Sequence, residues 1–125
     1  MTQAVTQLAK QLISAFENKD IHAVADILAD DIVLEDVPMA DKHKGKSNVV
    51  GKISDLFGKI QYYKWDLNDI IVDGKKVVVE RISQLAFGDK NVSLPMLVIL
   101  EFNDSGKLIK FKDYFDLKTL EKQLA

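Results

Sequence analysis

The hydrophobic period changes once along this chain, and that change limits the fold more than any other feature. Up to Phe57 apolar residues recur every three or four positions, and from Ile60 onward they alternate. Residues 2–18 carry Val5, Leu8, Ala9, Leu12, Ile13, Ala15 and Phe16 on one face, which predicts a helix. Asn18-Lys19-Asp20 is a turn, and Asp20 is placed to cap a short helix over 21–28. Ala29-Asp30-Asp31 breaks that helix, residues 32–36 read as a short strand, and residues 37–45, with Pro38, read as a loop. Ser47 predicts the cap of a third helix reaching Phe57, with Gly58 at its C-terminal end. Strands then follow over 60–72, 76–87, 92–102 and 107–116, before a short helix over 117–124. Asp73-Gly74, Gly88-Asp89-Lys90 and Asn103-Asp104-Ser105-Gly106 supply the turns. Helices first and an antiparallel meander after them predict an α+β fold. The expected form is a cone-shaped barrel of a curved, mainly antiparallel sheet, with helices on its concave face enclosing a pocket. At 125 residues, a single domain over 1–125 is expected.

Composition narrows the function. With 47% hydrophobic and 29% charged residues the chain reads as globular. A net charge of -2 argues against nucleic acid as a partner. No run approaches the length of a membrane span, so no membrane partner is expected. The absence of cysteine excludes disulfides, thiolate nucleophiles and thiolate metal sites. That absence and the lack of a continuous apolar leader fit a cytoplasmic protein. His22 and His43 have no second histidine at ligand spacing, so neither metal nor cofactor is expected.

Alternation on the strands brings out the charged residues that need explaining. On the last strand Ile109, Phe111, Asp113 and Phe115 share one side, and Leu108, Lys110, Lys112 and Tyr114 the other. A carboxylate in an apolar row must be paired, protonated or facing a cavity. Val77, Val79, Arg81, Ser83 and Leu85 form the more apolar face of their strand, so Arg81 also points inward and is expected within reach of Asp113. Such a pair either fixes the core or holds a carboxylate ionised toward a ligand. Leu34 and Asp36 share a face, and Asp36 either starts a turn or stands at the cavity mouth. Leu94, Met96, Val98 and Leu100 form an apolar stripe that would make the pocket greasy. Ser83, Leu34, Leu85, Leu94, Met96, Val98 and Phe115 are therefore the expected substrate-binding residues. No nucleophile elbow surrounds Ser83, which points away from a serine hydrolase. Tyr63 and Trp65 point one way and Tyr62 the other, and core or subunit packing is the plainest reading for them. Large outward residues such as Tyr62, Ile82, Leu97 and Ile99 predict a homodimer through the sheet.

The segments NKDIHAVADILADDIVLED and GKLIKFKDYFDLKTLEKQL resemble the nuclear-transport-factor-2-like superfamily. That superfamily includes ketosteroid isomerases, SnoaL-type polyketide cyclases and limonene-epoxide hydrolases. Likeness to the epoxide hydrolases implies that Arg81 and Asp113 stand for the Arg and the water-activating Asp of an Asp-Arg-Asp triad. The acid of that triad falls on Ser83, and its water-holding Tyr and Asn fall on Leu34 and Asp36. Likeness to the ketosteroid isomerases implies Asp36 as base, with the oxyanion-hole Tyr and acid falling on Leu12 and Val98. Likeness to the SnoaL group implies Asp113 as base. The expected function is a cofactor-independent pocket enzyme acting on a small hydrophobic oxygenated molecule. Asp113 would be its general base, Arg81 the base's partner and Asp36 a second acid or base. The alternative is a non-catalytic ligand-binding or interaction module on the same fold.

Overall fold

The structure, a computed structural model, describes residues 2–125, with side chains from residue 4 onward. Its helices and strands follow the predicted order, with one addition. Helix α1 (Thr2–Glu17) leads through Lys19, at φ 50, into α2 (Ile21–Ile27). Asp20 caps α2 as expected, its carboxylate accepting the Ala23 amide at 3.1 Å. Strand β1 (Leu28–Asp36) starts earlier than the sequence suggests. Parallel pairing with the last strand holds it on both sides of the acidic Asp30-Asp31, at Leu28 opposite Leu108 and from Val33 opposite Lys110 onward, with an irregularity between. The expected loop holds a 3₁₀ turn (Val37–Met39) and a strand, β2 (Asp41–Lys44), antiparallel to β1. The four residues of β2, Asp-Lys-His-Lys, carry no strand propensity; hydrogen bonding to β1 forms it, and its charge suits a sheet edge.

Helix α3 (Lys46–Lys59) is capped not by Ser47 but by Gly45. Gly45 sits at φ 88, ψ 146, a conformation nearly reserved for glycine. Its N–H donates to the Ile32 carbonyl at 2.8 Å, and its carbonyl accepts the Val49 amide at 3.0 Å. One backbone unit thus ties the helix start to β1. Gly58 lies inside the helix, which ends one residue later with extended Ile60 as its cap.

The meander comprises β3 (Tyr62–Asp73), β4 (Lys76–Phe87), β5 (Lys90–Phe102) and β6 (Leu108–Phe115). Its first turn is Gly74-Lys75, one residue beyond the predicted position, because Asp73 pairs with Lys76 and leaves Gly74 to take φ 61. The strand order is β2-β1-β6-β5-β4-β3, and among the described residues only β1 and β6 run parallel. The curved, mainly antiparallel sheet with helices on its concave face is as expected, and its two edges, β2 and β3, stay open. At the β3 end the Glu17 carboxylate of α1 accepts the Trp65 amide at 2.8 Å, so a helix side chain stands where closure would need a strand.

Helices α1 and α3 pack on the concave face, with Phe16 at the centre. Its ring stacks on Phe111 at 5.5 Å and meets Phe57 edge-on at 5.5 Å, with Tyr63 and Trp65 beside it. An irregularity at Ile109 puts Leu108 opposite Phe102, so Leu108 rather than Ile109 is fully buried, contrary to simple alternation. The last helix, α4 (Leu117–Leu124), lies along β5 where β6 has ended. There the Gln123 amide group accepts the Ser93 N–H at 2.7 Å and donates to the Ser93 carbonyl at 2.9 Å.

Glycine positions in α3 give the first test. Nothing lies within 4 Å of a Cβ added at Gly45 or Gly51, so any cost is backbone alone. Gly45→Ala is expected to destabilise by about 1–3 kcal/mol through its positive φ. Gly51→Ala, inside the helix, is expected to stabilise by about 0.5–1 kcal/mol. Urea unfolding with unchanged m-values would show both.

Candidate functional site

Arg81 sits mid-way along β4 on the concave face and is completely buried. Burying a guanidinium is tolerable only when its donors are matched. Here Nη1 and Nη2 donate to the two oxygens of Asp113 at 3.0 and 3.2 Å, and Nε donates to Ser83 Oγ at 3.1 Å. The planar face of the guanidinium lies 3.7 Å from the centre of the Trp65 ring, and Met96 Sδ is 3.6 Å from Nη2. Arg81 and Asp113 occur on strands separated by β5, where Asp113 is opposite Val98 and Arg81 opposite Met96. The pair therefore spans two strand spacings, about 9–10 Å, which a long side chain such as arginine can bridge.

Asp113 in turn has Asp36 as its register partner across the parallel β1–β6 pair. Neighbours in register point to the same face, so both carboxyls lie side by side on one wall. They line a cavity of about 210 Å³ between the sheet and the helices, with Phe16 from α1, Leu34 from β1, Tyr63 from β3 and Phe111 from β6. Helix α3 adds Lys52, Ile53, Asp55, Leu56 and Lys59. At the rim Lys52 pairs with Asp41 at 3.0 Å, and His43 Nε2 is 3.0 Å from the same Asp41.

Charge in this cavity is unevenly held. Burial pushes the Asp113 carboxyl up, opposed by Arg81. Burial is the largest influence and works against the Arg81 charge, but Asp113 and Tyr63 together, by charge and hydrogen bonding, outweigh it and raise Arg81 above its ordinary value. Burial first and the Asp113 charge second raise Asp36 to about 6, opposed by a hydrogen bond from the Met39 backbone and then by Lys52. Asp36 Oδ1 is buried without a hydrogen-bond partner. Burial also raises the Tyr63 hydroxyl, which is near enough to Arg81 and Ser83 to interact with both. Among the described residues no three histidine or acidic side chains converge as a metal ion would require.

Of the residues expected to bind substrate, only Leu34 lines this cavity, alongside Asp36 and Asp113. Ser83, Leu85, Leu94 and Val98 are buried and point inward as predicted, but they lie away from the cavity lining. Met96 and Phe115 border a separate open depression with Arg81, Pro95 and Tyr114. Tyr63 and the α3 residues escaped the sequence reading. Tyr63 carried a signal, since it alternates inward with Trp65 on the strand next to Arg81.

The SnoaL-like domain profile matches residues 9–111. The chain belongs to the SnoaL-like domain family. A protein assigned to the SnoaL-like polyketide cyclases, from Shewanella denitrificans, superposes with TM-score 0.88 at 19% identity, over 96% of each chain. A protein of ketosteroid-isomerase-like fold from Catenulispora acidiphila, solved with trimethylamine, gives 0.83 at 15% identity, over 93% of this chain and 90% of its own. These two establish the α+β nuclear-transport-factor-2-like fold. An LEH-like epoxide hydrolase from M. tuberculosis gives 0.86 at 25% identity, over 98% of this chain and 93% of its own. Among proteins of curated function no match is found. No helix among the described residues is long and apolar enough to cross a membrane.

Two stability measurements test this geometry. Arg81→Met should destabilise by about 3–5 kcal/mol, because Asp113 would remain buried and uncompensated. Adding Asp113→Leu should cost far less than the two single effects combined, which a double-mutant cycle by urea unfolding would show. The folded Asp36 value of about 6 lies above the ordinary 3.8, so the folded state binds the extra proton between those values. Its ionisation therefore lowers stability as pH rises through that window, and below it the penalty is absent. Asp36→Asn should be neutral near about pH 4 and stabilising near about pH 8. For a half-exposed group the gain should be about 1 kcal/mol by thermal or urea unfolding.

Proposed function

We propose that this SnoaL-like pocket protein is a cofactor-independent acid–base enzyme acting on a small, largely apolar, oxygenated molecule. The observation that carries this reading is Asp113, a nearly buried carboxylate held by both oxygens on a buried arginine and bordering a cavity. Arg81 fixes the direction of the carboxylate and opposes the rise in its pKa that burial imposes. Asp113 would act as general base and Asp36 as the second titrating group. The walls, mostly Phe16, Leu34, Ile53, Leu56 and Phe111, suit apolar contacts. Relatives described as a polyketide cyclase and an epoxide hydrolase support chemistry of this general kind.

Ser83 has no carboxyl and is wholly buried outside the cavity, which disfavours an epoxide-opening acid at that position. The same change favours the second reading, a ligand-binding module that lacks turnover. A panel of small epoxides and ketones separates the two. Asp113→Asn should lower any turnover by about 10²–10⁴-fold with ligand affinity largely retained. Binding by wild type with no turnover across the panel would establish the module reading.

A homodimer through the outer sheet face belongs to the same proposal. Tyr62 and Ile71 are 52% and 56% exposed, and Ile82, Leu97 and Ile99 are half-buried on the outward register. Sedimentation should give twice the 14.1 kDa chain mass at micromolar concentration, and Ile82→Lys or Leu97→Lys should yield monomer.

A further inference from the structure

We infer that Met96 is a site of reversible oxidation by small hydroperoxides, and that its sulfoxide changes how Arg81 holds Asp113. This goes beyond the acid–base reading and stands whether the cavity turns its ligand over or only holds it.

The inference starts from the donors of Arg81. Nε reaches Ser83, and Nη1 and Nη2 reach the two oxygens of Asp113. Nη2 also donates to Met96 Sδ at 3.6 Å, and its bond to Asp113, at 3.2 Å, is the longer of the pair. One nitrogen is therefore shared between a carboxylate and a thioether, and thioether sulfur is a weak acceptor. Met96 stands opposite Arg81 across β4 and β5, and opposite Phe115, the last residue of β6. Strand cover ends at that point. Met96 is only partly buried, while Arg81 beside it is completely buried. With Pro95, Tyr114 and Phe115 it borders the open depression of about 650 Å³. One methionine thus joins the buried guanidinium to the surface.

The step takes a hydroperoxide as its one co-reactant. Thioether sulfur has two lone pairs, and one faces Nη2. The other attacks the outer oxygen of the hydroperoxide. The S–O bond forms from that pair and the O–O bond breaks. The proton on the transferred oxygen passes to the departing one, which leaves as water or an alcohol. Sulfur loses two electrons and the peroxide gains them. The product is a polar, chiral group in place of an apolar one, and methionine sulfoxide reductases return it to the thioether.

Oxidation inverts the contact with Arg81. The sulfoxide sulfur is electron-poor and no longer attracts an N–H, whereas its oxygen is a much stronger acceptor. Nη2 turns to meet that oxygen, and the longer of the two bonds to Asp113 gives way first. Burial then raises the Asp113 carboxyl with less opposition from Arg81. The same turn moves the guanidinium from its place 3.7 Å over the Trp65 ring. Met39 is the internal control. It is 52% exposed in the 3₁₀ turn and takes no part in the bonds of Arg81.

The test treats the full chain at neutral pH with hydrogen peroxide or tert-butyl hydroperoxide and follows each methionine by peptide mass mapping. Trp65 is the one tryptophan of the chain, so its emission reports on the guanidinium face. Met39 should gain an oxygen first and leave that emission unchanged. Met96 should follow more slowly, since susceptibility tracks exposure. The emission should change in step with Met96, and the Asp113 carboxyl, followed by carbon-13 NMR, should titrate higher in the oxidised chain. Methionine sulfoxide reductases should restore both signals. Met96→Leu, which nearly conserves volume, should abolish the emission change and leave Met39 oxidation as before. A dimer through the outer face would cover Ile82 and Leu97 beside the depression, so the Ile82→Lys chain is oxidised in parallel. The inference is overturned if Met96 stays unmodified in both chains once Met39 is fully converted. It is equally overturned if Met96 is oxidised while the emission and the Asp113 titration stay as they were. An emission change that persists in Met96→Leu would place the reaction on Trp65 itself and overturn it too. Sulfoxide at Met96 that the reductases leave in place would overturn its reversibility.

Discussion

A fully buried guanidinium sets terms for everything near it. The effective penalty for taking such an ion out of water is several kcal/mol, and it must be met by specific neighbours. Arg81 meets it with the two Asp113 oxygens, the Ser83 hydroxyl and the face of Trp65. Each of those residues is then constrained in turn. Ser83 must keep an oxygen, Trp65 must keep its ring flat against the guanidinium, and β5 must carry a side chain small enough for the pair to pass over it. Val98 fills that place and is itself fully buried. The Trp65 Nε1–H is buried without a hydrogen-bond partner, so the ring serves as a face at the expense of its polar edge.

The second constraint is the one parallel strand pair. The meander joins β3 to β6 by short turns, but β1 reaches β6 only by crossing most of the chain. Asp36 and Asp113 are distant in sequence and adjacent in register. The site therefore exists only once the N-terminal helices, β1 and the finished meander have come together. Loop closure of that length is the slow, costly kind of contact. Gly45 matters for the same reason, since its backbone bonds fix α3 onto β1 and so set the cavity wall opposite the carboxyls.

How much of this is legible in the sequence depends on the kind of question asked. Alternation places Arg81, Asp113, Tyr63 and Trp65 inward because period two holds along a regular ladder. It fails at Leu108, where an irregularity in the β5–β6 pairing shifts the phase by one residue. Propensity fails at β2, whose charged residues become a strand only because β1 offers an unpaired edge. Local capping rules select Ser47 over Gly45, since a long-range bond to Ile32 is invisible to them. The cavity itself is the hardest part. Leu85, Leu94 and Val98 point inward like Leu34, yet packing decides which inward residues meet empty space. Lys52, Asp55 and Lys59 belong to the cavity through the placement of α3, which depends on tertiary packing beyond the helical pattern.

The Gln123 side chain bonds to Ser93 as a neighbouring strand's backbone would, on the half of β5 that β6 leaves open. At the β3 edge, protection comes from the Glu17 carboxylate of α1 on the Trp65 amide. On β5 it rests on one primary amide near the end of the chain, so one altered codon uncovers it. The likeness of an amide side chain to a peptide unit makes this edge inexpensive for evolution to open or close. An added strand, an extended tail or a neighbouring molecule could take over the same two hydrogen bonds without disturbing the cavity on the other side of the sheet.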